Sequence, residues 1–190
     1  MKDIILLASG SGSNVENIAL YFQYHSEIKI SCVLTNRSDA PVLERCRRLG
    51  LPALSFNRQA FSKSDVALTF IKALHPDLIV LAGFLWKIPK GFVEAFPNKI
   101  VNIHPALLPK YGGKGMYGHH VHQAVKDNNE NETGITIHYV NENYDEGNVV
   151  FQKTIPLVET DTPIDIAQKV HSLEYKHFPK VIEKLLLEDG

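Results

Sequence analysis

The sequence predicts an α/β fold: a doubly wound, mostly parallel sheet with an antiparallel strand addition near the C-terminus. Three observations carry this expectation. Residues 4–8 and 78–82 are continuous apolar runs, the pattern of strands buried on both faces of a parallel sheet. Strand-like and helix-like segments alternate as far as residue 104, as crossover-connected parallel strands require. From residue 134 an alternating strand, a long acidic turn and a second strand follow, which reads as an antiparallel pair.

The chain has 190 residues, 44% of them hydrophobic, enough for one domain over 1–190 with a substantial core. Twenty basic residues against twenty-one acidic give a net charge of -1, so no global field favours nucleic acid. Small anionic ligands need only local positive potential and stay open. Cys32 and Cys46 have neither metal-type spacing nor the number for a disulfide framework, which points to a reducing cytoplasmic compartment. No targeting segment is expected after Met1, and no apolar run is long enough to span a membrane.

In chain order, the strand at 4–8 leads into Ser9, Gly10, Ser11, Gly12, Ser13 and Asn14, and a helix is expected over 15–22. Strand, glycine loop and helix make an anion cradle, in which free backbone N–H groups and the positive helix end face the loop. The alternative is an ordinary βα turn. The Walker pattern fails, because no Gly-Lys-Ser/Thr closes the loop. The dinucleotide fingerprint is partial, with Val15 in place of the third glycine, and the next strand (28–34) ends without an acid for a ribose. A monophosphate suits the loop better. Further on, a helix over 41–49 should close on Gly50, a strand lies at 53–56, and a helix covers 65–74. Beyond the strand at 78–82, Phe84, Leu85, Trp86 and Ile88 are unusually apolar for a loop. They could wall a pocket for a flat ring, and Trp86 packed in the core is the alternative. A helix from Pro89 to Phe96 precedes the next strand.

That strand, 100–104, carries the most informative residues. Period-2 alternation sends Asn102 and His104 to the same side, and Pro105 keeps His104 extended. An amide and an imidazole then emerge together at the C-terminal edge of a parallel strand, where ligands bind. They form a donor pair for a developing oxyanion, with His104 also able to move a proton. The alternative is a capping Asn and a structural His. A mobile glycine-rich loop follows over 111–118, and His119, His120 and His122 open a helix. No thiolate or clear carboxylate stands beside these histidines and they do not share one face, so no metal site is assigned. Asp145 lies in the acidic turn and could hold the charged form of His104. Strands are expected over 134–140 and 149–158, and Thr160-Asp161-Thr162-Pro163 should cap a final helix running to about Leu187.

Five pieces in order resemble the folate-dependent formyltransferase family, in particular its branch acting on phosphoribosylglycinamide. They are Gly10-Ser11-Gly12-Ser13-Asn14, Leu81-Ala82-Gly83-Phe84, Asn102-Ile103-His104-Pro105 with Ala106-Leu107-Leu108-Pro109, the run 134–147 centred on Asp145, and Glu174-Tyr175-Lys176-His177-Phe178-Pro179. The resemblance covers nearly the whole chain and implies a Rossmann-like formyltransferase fold. It implies direct formyl transfer from 10-formyltetrahydrofolate, as co-substrate and without a metal, to the amine of phosphoribosylglycinamide in purine biosynthesis. Asn102 and His104 would hold the oxyanion, His104 would act as acid, and Asp145 would raise the His104 pKa and order a water. Ser11, Gly12, Ser13 and Asn14 would take the substrate phosphate, and Glu174 the glycinamide end. Leu85, Trp86, Lys87, Ile88, Asn102, Asn141, Glu142, Asn143 and Tyr144 would meet the folate. Partners would be small molecules, with no nucleic acid or membrane, in a monomer or homodimer.

The chain departs from the family at three places. Leu85-Trp86 stands where relatives often carry Met-Arg. No basic residue aligns in the helix after Phe61, where relatives meet the folate tail, and the adjacent Lys63 is the candidate substitute as a folate contact. The segment between Pro109 and Gln123 is longer, and its histidines have no assigned role. Competing readings are a non-catalytic nucleotide- or phosphate-binding module, or a sibling transferase or deformylase using another acceptor.

Overall fold

Seven strands form one sheet in the computed structural model, which describes residues 1–188. The elements are β1 (Lys2–Ala8), α1 (Ser13–Phe22), β2 (Ile28–Thr35), α2 (Val42–Leu49), β3 (Ala53–Ser55), α3 (Val66–Ala73), β4 (Leu78–Leu81), α4 (Lys90–Ala95), β5 (Ile100–His104), α5 (His119–Asp127), β6 (Glu132–Tyr139), β7 (Val149–Pro156) and α6 (Pro163–Leu187). The spatial order is β3-β2-β1-β4-β5-β6-β7. The first five strands in that order pair parallel, and β6 and β7 add antiparallel, as the change of pattern after residue 134 predicts. One π-helical turn, Gln59–Lys63, was not expected; Phe61 within it stacks on Phe56 at 4.8 Å.

Side-chain alternation divides the core between the two faces of the sheet. Ile4, Leu6, Ala8, Val80, Val101 and Ile103 join one buried cluster, which Val15, Val121 and Phe178 complete from α1, α5 and α6. Ile5, Leu7, Ile79, Leu81 and Ile100 join the other with Ile71 and Phe92 of α3 and α4. Both faces of β1 and β4 are therefore covered, which is why they are apolar at every position. The helix signals also hold. Gly50 caps α2 at φ 68°, and Thr162 with Asp165 forms a capping box at the start of α6.

Strand order reverses at β1, whose neighbours are β2 and β4, and this opens a crevice at their C-terminal ends. Two bonds tie the crevice walls together: Ser9 N–H donates to the Gly83 carbonyl at 3.0 Å, and Leu85 N–H to Ser9 Oγ at 2.9 Å. Gly12 takes φ 73°, and a Cβ there would collide with the Val42 side chain. Its glycine is thus required by packing against α2 as well as by any ligand. Gly10, in contrast, has open space where a Cβ would sit. Among the described residues no helix is long and apolar enough to cross a membrane.

The antiparallel end is set by equally close approaches. A Cβ on Gly147 would overlap the Tyr139 carbonyl, two residues from Asp145, which itself sits at φ 56°. Gly147→Ala should cost about 2–4 kcal/mol of folding stability and displace Asp145. An unfolding free energy from denaturant titration lowered by less than about 0.5 kcal/mol would contradict this packing.

Candidate active site

Antiparallel pairing places Asn102 opposite His138 and His104 opposite Thr136. Side chains directly opposite on one face are neighbours, so β6 brings His138 beside the strand-end pair. Thr136 holds the turn after His104: its hydroxyl donates to the Ala106 carbonyl at 2.7 Å and accepts from Leu108 N–H at 3.0 Å. The 141–147 turn then returns Asp145 to the same spot, 43 residues from Asn102 in sequence.

Asp145 is the meeting point. One carboxylate oxygen lies 3.5 Å from both Asn102 Nδ2 and His138 Nε2. The other accepts from Gly113 N–H at 2.9 Å and lies 3.6 Å from His104 Nδ1. His104 Nε2 is 2.7 Å from the Tyr111 carbonyl, so that nitrogen carries a proton. His138 Nδ1 donates to the Tyr139 carbonyl at 2.9 Å, and its Nε2, 3.2 Å from Asn102 Nδ2, accepts from that amide when neutral and donates to Asp145 when protonated. His138, Tyr111 and Gly113 were not anticipated as site residues. Alternation in β6 puts Thr136 and His138 on one face, but only the register with β5 makes that face the site.

One expectation changes here. Asp145 was expected to keep His104 charged near neutral pH. Burial of the imidazole outweighs it, and His138 adds repulsion; Asp145 and the Tyr111 carbonyl offset only part, so His104 sits below its ordinary value of 6.5. Burial pushes Asp145 up, but the His138 hydrogen bond, the His104 charge and the Gly113 amide together hold it below the usual carboxylate value. At the start of the 111–118 loop, Tyr111 and Gly113 are held to the two groups the loop flanks.

A cavity of about 520 Å³ runs from the glycine loop to this cluster. Ser11, Gly12, Ser13 and Asn14 line one end, Asn102, His104 and Asp145 the other, with Glu174, His122 and Leu85 also in its walls. The first turn of α1 has no side-chain cap, so its amides are available at the loop. Asn14 turns away from that row of amides: its Nδ2 donates to buried Glu174 at 2.9 Å. A smaller recess of about 70 Å³ shares Asn102 and Asp145 and is lined by Trp86, Lys87, Ile88, Asn141, Asn143 and Tyr144. Trp86 serves both readings made of it, since it also contacts Phe56, Phe61 and Phe84. Glu142 lies outside both spaces, 3.7 Å from Lys90. Lys63 is exposed on the π-helical turn and also lies outside both. Lys87, in the wall of the recess, lies 5.7 Å over the Tyr144 ring, and Arg58, which sequence reading did not single out, sits 4.9 Å above the Trp86 ring.

His119 and His120 are exposed while His122 is buried, so the three histidines do not converge. Glu174 is 6% exposed, and its burial raises the carboxyl above its ordinary 4.5. A raised carboxyl contributes stability that is complete below 4.5 and is lost as pH rises through the folded value. Glu174→Gln keeps an acceptor for Asn14 and removes that loss. Its melting midpoint should exceed the parent's by about 2–4 °C at pH 7.5 and match it near pH 4. An equal difference at both pH values would contradict the assignment.

The chain matches the Formyl transferase family over residues 2–182. It is 36% identical over 189 residues to a Haemophilus influenzae protein named phosphoribosylglycinamide formyltransferase, covering 96% of this chain and 86% of that one. A chloroplastic protein of the same name from Arabidopsis thaliana is 36% identical over 187 residues; the match covers 95% of this chain and 64% of the relative's length. The crystal structure of phosphoribosylglycinamide formyltransferase from Anaplasma phagocytophilum superposes with a TM-score of 0.89 at 29% identity, over 98% of this chain and 87% of the other. A glycine loop, the β5 pair and the Asp145 turn thus come together in a chain that belongs to the formyl transferase family.

Proposed function

We propose that this chain transfers the formyl group of 10-formyltetrahydrofolate to the amine of phosphoribosylglycinamide, a step of purine biosynthesis. The observation that carries this reading is the single cavity with an amide-lined glycine loop at one end and Asn102, His104 and Asp145 at the other. Anion-binding amides and proton-transfer groups in one cavity match the phosphate and the reacting amine of a single substrate. The acceptor phosphate lies against the amides of Ser11, Gly12, Ser13 and Asn14, and Glu174 stands beyond them toward the glycinamide end. The donor ring enters past Leu85 of the large cavity from the recess between Trp86, Lys87 and Ile88 on one side and Asn141, Asn143 and Tyr144 on the other.

The uncharged amine attacks the formyl carbon, forming a C–N bond while the carbonyl electron pair moves to oxygen. Asn102 gives up its 3.5 Å contact with Asp145 to donate to that oxyanion. A neutral His104 suits the next step. It takes the proton released by the attacking nitrogen through a water ordered by Asp145, and gives it to the folate nitrogen as that C–N bond breaks. Asp145 stabilises the imidazolium formed in between. Buried free thiols at Cys32 and Cys46 suit a reducing cytoplasm, in which the chain works as one catalytic domain.

Purified protein should consume 10-formyltetrahydrofolate only when phosphoribosylglycinamide is present. Turnover with charged initiator tRNA or water, and none with this acceptor, would overturn the reading. Asn102→Ala and His104→Ala should each cut turnover by about 10² or more with little change in affinity for the phosphorylated acceptor. Parallel loss of binding would make them structural.

A further inference from the structure

His122 has no part in the reaction steps above, yet its surroundings mark it as built for a ligand. It lies in the first turn of α5, is 4% exposed, and lines the large cavity. Its Nδ1 is buried without any hydrogen-bond partner. Asn14 Oδ1, in the wall of the same cavity, is also buried and unpartnered. Groups like these are unfavourable unless something completes them. We propose that His122 is a positioning residue that hydrogen-bonds the sugar hydroxyls of the acceptor, between its phosphate and its amine.

The chemistry of this stretch of wall fits an uncharged, hydroxyl-bearing ligand segment. Burial, with added repulsion from His171, His119 and His104, pushes His122 down to about 4, so it is a neutral imidazole at working pH. A neutral imidazole both donates and accepts, as a hydroxyl does. Asn14 offers a further acceptor, and the Glu174 carboxyl beside it is biased by burial toward its protonated form. The site's anion-binding amides lie at the glycine loop and its proton-transfer groups at His104. The neutral groups line the cavity these two ends share, where a sugar would lie. His119 and His120, exposed on the same turn, take no part. The inference rests on the substrate proposed above, but it can be tested without formyl transfer.

The test is calorimetric titration with two probes, ribose 5-phosphate and inorganic phosphate, on the parent chain and on His122→Leu. His122→Met replaces the leucine variant should that not fold. The apolar variant should lose about tenfold in affinity for ribose 5-phosphate, keep its affinity for phosphate, and melt no lower than the parent. His122→Asn, which keeps a hydrogen-bonding atom near Nδ1, should retain most of the ribose 5-phosphate affinity. Unchanged ribose 5-phosphate binding in the apolar variant would overturn the proposal, as would an equal loss for both probes. A His122-dependent ribose 5-phosphate site in a chain that formylates no phosphoribosylglycinamide would refute the proposed reaction and leave this inference standing.

Discussion

The carboxylate of Asp145 touches the Gly113 amide, Asn102 and His138, and faces His104, and the arrangement of the site depends on that convergence. Without the antiparallel return of β6, Asn102 and His104 would be two polar groups at a strand end. The 141–147 turn adds an anion that one buried imidazole faces through Nδ1 and another through Nε2. Gly147 allows the turn to press against the Tyr139 carbonyl, and Asp145 accepts a left-handed backbone to reach inward. Backbone conformations of this kind persist where surrounding structure enforces them, and here they aim a side chain.

Burial and charge oppose each other throughout this pocket. His104 faces acceptors at both ring nitrogens, which favours its imidazolium, but the dry surroundings win and hold it below its ordinary value. The balance leaves a base able to accept a proton and, with Asp145 near, able to hold it briefly. Glu174 and His122 show the same desolvation in groups of opposite charge type, one pushed up and the other down. The cavity wall is therefore mostly neutral between an amide-lined end and a proton-transfer end. That graded polarity follows the order of groups along a phosphorylated amine.

Much of this was legible in the residues. Apolar runs such as Leu78–Leu81 specify doubly covered strands, and Gly50 and Thr162 mark helix ends through local chemistry. Asn102 and His104 were legible because alternation and the following proline fix their common side. What was not legible depends on register and on nonlocal closure. His138 becomes a site residue only by pairing opposite Asn102, and Tyr111 through its carbonyl, which no side-chain pattern reveals. Arg58 meets Trp86 through a tertiary contact from just before the π-helical turn, which no local pattern reveals. The sign of the His104 shift was missed because charge partners can be guessed from sequence, whereas the depth of burial cannot.

The most direct measurement of the Asp145 convergence is a pH titration of the His104 ring nitrogens by ¹⁵N NMR, in the parent chain and in Asp145→Asn. His104 should titrate below 6.5 in the parent, with its neutral form protonated at Nε2, and lower still in the variant. A midpoint above 6.5, or one that Asp145→Asn leaves unmoved, would contradict the account.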